Sequence, residues 1–286
     1  MKPAPFVYHV PETVDEVLEL LAAETGARVL AGGQSLVPLM KFRVEKPTTL
    51  VDVNRVPGLD RVEERDGELR IGALTRQQAL VDDDLAARVQ PLLGAAARHA
   101  GYLATRHRGT VGGSLAYAAP WAELTAATVA LDARLRVRST RGERTIPARE
   151  FFRGPHKTAL EDDELLTEIA VPAPAPRTGV GFHEVTTGNG GYLHVAAAAT
   201  VTTDEGGRCT AAELVLLRVA PTPHRVDVDV LQGSTLDADD LAAVDGPLET
   251  LDPPDDVEVS GRYRKRVART LARRALLDAY AGANAS

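Results

Sequence analysis

Apolar positions along the first two thirds of the chain switch repeatedly between helical and strand-like spacing. Val14, Val17, Leu18 and Leu21 recur every three or four residues behind Thr13-x-x-Glu16, a capping box, so the pattern predicts a first helix ending near Gly26. A short strand, Arg28 to Leu30, follows it. Thr49 to Val53 and Leu69 to Ala73 alternate or cluster apolar residues over strand lengths, separated by the charged turn Glu63 to Gly67. Thr75-x-x-Gln78 predicts the cap of a second helix, and Leu92, Leu93, Ala96 and Ala97 predict a third that stops near Gly101. Trp121 to Ala130 reads as a buried helix, and Leu135 to Arg138 and Leu165 to Val171 as strands. Between those strands the loop Arg149 to Leu160 is long enough for a lid or ligand wall.

The alternating prolines of Pro172-Ala173-Pro174-Ala175-Pro176 cannot continue a helix or a central strand, so they mark a boundary. Beyond it, Gly181 to Val185, Leu193 to Thr203 and Ala212 to Val219 predict three strands. Helices are predicted at Pro223 to Leu231, Ala238 to Val244 and Arg262 to Ala281, and strands followed by helices imply an α+β unit. On the last helix Tyr263, Val267, Leu271 and Ala275 recur every four residues as a buried face. That leaves Arg262, Arg264, Lys265, Arg266, Arg269, Arg273 and Arg274 as a solvated surface.

Composition narrows the chemistry. The 286 residues are 44% hydrophobic, enough for two or three domains with a substantial core. A net charge of -7 argues against nucleic acid as the main partner. With Cys209 as the single cysteine, the chain can form no internal disulfide and cannot ligate an iron–sulfur cluster by itself. His183-Glu184 lacks the second histidine of a zinc-binding helix, and the 7 histidines are scattered, so no metal site is expected. No apolar run reaches the ~20 residues of a membrane span and the start shows no signal-peptide core, which predicts a cytoplasmic protein. Neither a Gly-x-Gly-x-x-Gly nor a P-loop motif is present.

Two segments share a glycine pair, a polar residue and then leucine: Leu30-Ala31-Gly32-Gly33-Gln34-Ser35-Leu36 and Gly109-Thr110-Val111-Gly112-Gly113-Ser114-Leu115. Taken singly, either pair is more often a structural turn than a ligand cradle. Together, each beside a predicted helix, they point to a ligand with two phosphates, because backbone N–H groups at glycine turns can approach phosphate closely. Gln34, Ser35 and Ser114 add side-chain hydrogen bonds in this reading, and helix N-termini favour the negative charge.

AGGQSLVPLMKFR (Ala31 to Arg43), TLVDVNRVPGL (Thr49 to Leu59) and TRHRGTVGGSLAYAAPWAEL (Thr105 to Leu124) resemble the flavin-binding segments of the FAD-binding medium subunits of molybdenum hydroxylases. FFRGPHKTALEDDELLTEIAVP (Phe151 to Pro172), VAPTPHR (Val219 to Arg225) and YRKRVARTLARRALLDA (Tyr263 to Ala279) extend the resemblance over nearly the whole chain. It implies an α+β protein: a two-subdomain FAD-binding domain of the vanillyl-alcohol oxidase (PCMH) type over 1–60 and 61–175, then a small C-terminal domain over 176–286 with a three-stranded sheet plus helices. It also implies a diphosphate between two walls. Leu30, Ala31, Gly32, Gly33, Gln34, Ser35 and Leu36 would form one, and Thr110, Val111, Gly112, Gly113 and Ser114 the other. Ala119, Glu123 and Leu165 are the further cofactor positions, and Tyr192, preceded by Gly190-Gly191, would lie beside the isoalloxazine.

The chain departs from the family where GNLAHADPAAEL is usual: Ala119 replaces an aspartate and Trp121 a small residue, and Gly191 replaces the aspartate before the flavin tyrosine. The partners implied are a molybdenum-cofactor large subunit, a 2Fe-2S small subunit and a small-molecule or protein electron acceptor. Motivated by those departures, the alternative is a stand-alone FAD-dependent oxidoreductase acting on a small substrate, with His107, His156, His183 and His194 as available acids or bases. A non-enzymatic nucleotide-binding module is the third reading.

Overall fold

The computed structural model describes residues 2–188 and 191–285. Strands β1 (Val7–His9), β2 (Ala27–Leu30) and β3 (Thr49–Asp52) form a parallel sheet in the order β1-β3-β2, flanked by helices α1 (Val14–Ala23) and α2 (Leu36–Lys41). Thr13 caps α1 by accepting from the Glu16 amide at 3.2 Å. The return bond of the box is displaced by one residue, with Glu16 accepting from the Glu12 amide at 2.8 Å.

A second, antiparallel sheet runs β4 (Val62–Arg65), β5 (Glu68–Gly72), β10 (Leu165–Pro172), β6 (Arg134–Ser139), β7 (Gly142–Pro147) in that spatial order. Its alternation sends Leu69, Ile71, Leu135, Val137 and Ile169 into a core shared with Leu92, Leu93, Leu115 and Leu124. Those leucines come from a helical layer: α3 (Gln77–Asp82), α4 (Asp84–Val89), α5 (Pro91–His99), α6 (Leu103–Arg108), α7 (Val111–Tyr117) and α8 (Glu123–Ala130). The opposite face carries cross-strand ion pairs such as Arg136 with Glu143 at 3.3 Å.

Several expectations need correction. The charged turn expected from Glu63 to Gly67 is strand β4 as far as Arg65, and only Asp66 and Gly67 make the turn to β5. Thr75 does not cap α3, which starts after Arg76 without a side-chain cap. Instead the Thr75 carbonyl accepts from the Val111 amide, so its backbone is tied to the second glycine segment. Arg149 to Leu160 is no open loop: α9 (Ala148–Phe151) leads into a hairpin of β8 (Phe152–Gly154) and β9 (Lys157–Thr158). The buried rings of Phe151 and Phe152, 5.3 Å apart and edge-on, anchor it.

The C-terminal sheet has four strands rather than three: β11 (Thr178–Thr186), β12 (Leu193–Thr203), β13 (Cys209–Leu217) and β14 (His224–Val226). The helix expected from Pro223 to Leu231 is β14 followed by a 3-10 turn at Asp229–Leu231, with Val226 opposite Leu214. Helices α10 (Ala238–Ala243), α11 (Asp245–Glu249) and α12 (Gly261–Asn284) complete the chain.

The buried face of α12 is Arg264, Ala268, Leu271, Ala272, Ala275 and Ala279, one position on from the expected one at its start. Arg264 is 1% exposed, not solvated, and bonds the Pro254 and His194 carbonyls and the Asp256 carboxylate. A buried guanidinium survives because every side of it meets an acceptor. Strand β12 is covered on both faces, Ala196 and Ala198 toward the middle helical layer and Val195, Ala197 and Ala199 toward α12. The cores on either side of the proline connector are therefore continuous. Among the described residues no helix is long and apolar enough to cross a membrane.

Candidate functional site

The first glycine segment leaves β2 at Leu30 and turns through Gly33, whose φ of +71° lies in the left-handed region that side chains disfavour. Among the described residues no amide N–H from Gly32 to Ser35 donates to a protein acceptor. The Gln34 side chain folds back onto the Gly32 carbonyl at 3.2 Å, which leaves the amides as an open nest, the concave arrangement that receives anions.

The second segment is built differently. Val111 N–H donates to the Thr75 carbonyl at 2.9 Å, Gly112 to Ala73 at 2.8 Å and Ser114 to Thr110 at 3.1 Å. Gly113 N–H donates to the Thr110 hydroxyl at 3.0 Å, the N-cap of α7. These amides are engaged, so the segment offers a ligand the Thr110 and Ser114 hydroxyls and not a row of backbone donors. The helix-terminus argument also lapses, since α2 has 6 residues and α7 has 7, too short to align many peptide dipoles.

Glycine is required at both places by the protein's own backbone. A Cβ on Gly112 would sit 2.5 Å from the Cβ and 2.7 Å from the carbonyl oxygen of Ala73, where α7 seats against the end of β5. A Cβ on Gly32 would meet the Arg108 carbonyl oxygen at 2.3 Å and Gly109 Cα at 2.8 Å. Thus Gly32 is where the two segments touch.

Two residues outside both glycine segments brace this contact. Asn54 Nδ2 donates to the Ala31 carbonyl at 2.9 Å and more weakly to that of Leu30 at 3.4 Å. Arg76 donates from one terminal nitrogen to Asn54 Oδ1 at 2.7 Å and from the other to the Arg108 carbonyl at 2.6 Å. Asn54 lies within TLVDVNRVPGL, a segment that carries the family resemblance, yet nothing there singles it out; nothing in the sequence marks Arg76.

Beyond α7 the chain turns at Ala118 and buries Ala119, then presents Trp121 at the centre of an aromatic group. Its ring lies 5.5 Å from Tyr192 at 84°, and 5.5 Å from His156, which in turn lies 4.5 Å from Tyr117. The Arg218 guanidinium sits 6.0 Å over Trp121 and is held by Asp256 at 2.5 Å. Tyr192 is 62% exposed at the entry to β12, so it is not a core aromatic. Gly190 lies outside the described residues; Gly191 closes a turn onto the Gly188 carbonyl at 2.9 Å. Of the other histidines considered as acids or bases, His183 pairs with Asp278 at 2.8 Å and His194 faces Glu258 at 3.5 Å.

Glu123, at the first position of α8, is 7% exposed, and burial pushes its carboxyl up to about 8. The nearby Glu184 carboxylate reinforces that shift, while His99 and Arg106 oppose it. His99 is bonded to Glu184 at 3.0 Å, which raises its own affinity for a proton. Burial thus favours the neutral acid form of Glu123. Leu165 packs with Val53, Val56 and Leu74 in the core behind the first sheet and offers no polar contact.

Comparisons with known proteins identify the family. The model of the FAD binding domain in molybdopterin dehydrogenase matches residues 4–174, and that of the CO dehydrogenase flavoprotein C-terminal domain matches 182–279. The chain is 39% identical to the 6-hydroxypseudooxynicotine dehydrogenase complex subunit alpha of Paenarthrobacter nicotinovorans, over 98% of this chain and 96% of that one. It is 33% identical to the carbon monoxide dehydrogenase medium chain of Hydrogenophaga pseudoflava, over 98% and 99% respectively. The crystal structure of quinoline 2-oxidoreductase from Pseudomonas putida 86 superposes with a TM-score of 0.95 at 35% identity, covering 99% of both chains. Relatives named as subunits and medium chains, matched end to end, favour the subunit reading over a stand-alone oxidoreductase. The chain belongs to the FAD-binding flavoprotein subunits of the molybdopterin dehydrogenases, and FAD is its cofactor.

Proposed function

We propose that this chain is the electron-transfer subunit of a cytoplasmic molybdenum-containing dehydrogenase, partnered by a molybdenum-cofactor large subunit and a 2Fe-2S small subunit. Electrons arriving from the iron–sulfur clusters leave to an external acceptor, a small molecule or a protein. Bound FAD supplies the redox chemistry; the protein supplies binding, orientation and electrostatics. The division of labour is supported by the single buried cysteine, which leaves cluster ligation to another subunit.

In this reading the amides of Ala31, Gly32, Gly33, Gln34, Ser35 and Leu36 hold the diphosphate, with Leu30 leading in. Thr110, Val111, Gly112, Gly113 and Ser114 form the facing wall, to which Thr110 and Ser114 contribute hydroxyls. Tyr192 lies beside the isoalloxazine, Ala119 and Glu123 line the region past the second wall, and Leu165 backs it. Residues 1–60 and 61–175 form the two halves of a PCMH-type flavin domain, and 176–286 the C-terminal domain. The observation that carries the reading is the run of unpaired amides from Gly32 to Ser35, set against the second segment at Gly32.

The test is to produce the chain together with its partner subunits and record the flavin spectrum and FAD content of the complex. One FAD per chain, reduced when the dehydrogenase substrate is added anaerobically, is the expected result. An assembled complex that stays free of flavin after incubation with FAD would overturn the proposal.

A further inference from the structure

We propose that Arg76 is a positioning residue that locks the two glycine segments at the spacing a diphosphate requires and gives that diphosphate a positive charge to neutralise. The inference rests on the FAD reading above and assigns a role to a residue outside both glycine segments.

Different contacts hold the two segments in place. Helix caps and sheet contacts fix the second segment, whereas the Gly32 to Ser35 amides make no bond to the protein. The first segment is therefore held from behind, through Asn54 on the Ala31 carbonyl, and Asn54 is in turn held by Arg76. The other terminal nitrogen of Arg76 reaches the Arg108 carbonyl, the atom against which Gly32 packs. One guanidinium thus spans the junction. Its rigid planar fork can satisfy two acceptors on separate segments at once, which the single ammonium of lysine cannot do with the same fixity.

Charge supplies the second half of the argument. Among the described residues neither Arg76 nor Arg108 forms an ion pair with a carboxylate, although most arginines of the middle sheet do. Partial burial disfavours the charged form of Arg76, and so does the neighbouring Arg108; Asp60 and Asp52 compensate only at longer range. Asp52 is moreover engaged by the Tyr8 hydroxyl and by Asn54. The Arg76 charge, destabilised by burial and by Arg108, lies at the edge of a nest of free amides, where an arriving anion would stabilise it. A diphosphate is an anion of the right kind.

The experiment uses the complex after removal of its flavin and measures dissociation constants for FAD and for ADP at low and high salt. The variants are Arg76→Gln, Arg76→Lys and Asn54→Ala, with Arg88→Gln as a control at an exposed arginine whose nearest carboxylate, Glu64, is 4.0 Å away. Arg76→Gln is expected to weaken FAD and ADP alike by at least tenfold and to flatten the salt dependence of both. Arg76→Lys should keep the salt dependence and recover part of the affinity, while Asn54→Ala should lose affinity with the salt dependence intact. Melting temperatures of the flavin-free forms within a few degrees of wild type exclude a folding defect as the cause. Wild-type affinity and salt dependence in Arg76→Gln would overturn the inference, as would loss of FAD with ADP binding unchanged. Wild-type protein that binds neither FAD nor ADP would overturn the cofactor reading itself, and the inference with it.

Discussion

The two glycine segments look alike in sequence and differ in what their backbones do. From Val111 to Ser114 each amide is bonded inside the protein, and Gly112 is glycine because α7 lies directly on Ala73. From Gly32 to Ser35 the amides are free, and the segment depends on Asn54 and Arg76 for its position. A glycine pair thus reports close backbone approach, and the pairing of the neighbouring amides tells whether the approach is to protein or to ligand.

The sharpest way to break this contrast is to add a methyl group to each segment. Gly112→Ala is expected to cost about 3 kcal/mol of stability, at the upper end for overpacking, because the intruding Cβ meets backbone on the end of a strand. Gly32→Ala also meets backbone, at the C-terminal end of α6, but its own segment is a turn whose amides make no protein bonds and can shift. We expect about 1–2 kcal/mol for it, with FAD affinity reduced at least tenfold. Urea unfolding of the flavin-free forms and FAD titration separate the two effects. A Gly112→Ala protein as stable as wild type would erase the distinction.

A second test concerns the region past the closed segment, where Glu123 is buried. Its folded-state affinity for a proton is raised, so the native state binds that proton more tightly than the unfolded state does. The resulting stability is present in full below the ordinary value of 4.5 and is lost as pH rises toward about 8. Wild type should lose up to about 1.4 kcal/mol per pH unit across that window from this group, and Glu123→Gln should lack that component. The His99–Glu184 pair acts in the same direction, so the measurement is the difference in melting temperature between wild type and Glu123→Gln at pH 5.5 and pH 9. Parallel curves would show Glu123 to be ionised in the native state.

A smaller effect is expected at Gly33, whose backbone is left-handed. Gly33→Ala should cost about 1–2 kcal/mol, and Gly33→Asn less, since asparagine tolerates this conformation. If the open segment is shaped for ligand, FAD affinity should follow the same order, wild type above asparagine above alanine. Equal FAD affinities across the series would show that the shape of the turn does not matter to the cofactor.

Three strands of the middle sheet, β5, β6 and β10, are readable in the sequence because Leu69, Ile71, Leu135 and Val137 alternate with charged residues, as one buried face and one wet face demand; β4 is hidden in what reads as a charged turn, and the mostly exposed β7 leaves no apolar pattern. The same rule was available at Val226, Val228 and Val230, yet a helix was expected there. Only Val226 lies in β14, which is three residues long; Val230 falls in the following 3-10 turn and is exposed. Arg264 was misread because periodicity treats every arginine as solvated, and only the tertiary fold brings the carbonyls of His194 and Pro254 to it. Arg76 was invisible for the same reason. Its partners Asn54 and Arg108 lie 22 and 32 positions away, in segments that meet only once the first two sheets are placed.

The mildest substitution asks whether the closed segment touches the ligand at all. The Thr110 hydroxyl accepts from the Gly113 amide, and its own proton remains free to donate. Thr110→Val keeps the shape but removes the cap and strands the Gly113 N–H, for about 1 kcal/mol. Thr110→Ser restores the hydroxyl and should restore the stability. If the segment is wall and scaffold together, FAD affinity should fall severalfold in the valine variant and return with serine. If it is scaffold alone, stability should follow the hydroxyl and FAD affinity should not, leaving the whole recognition of the diphosphate to the open amides and the arginine behind them.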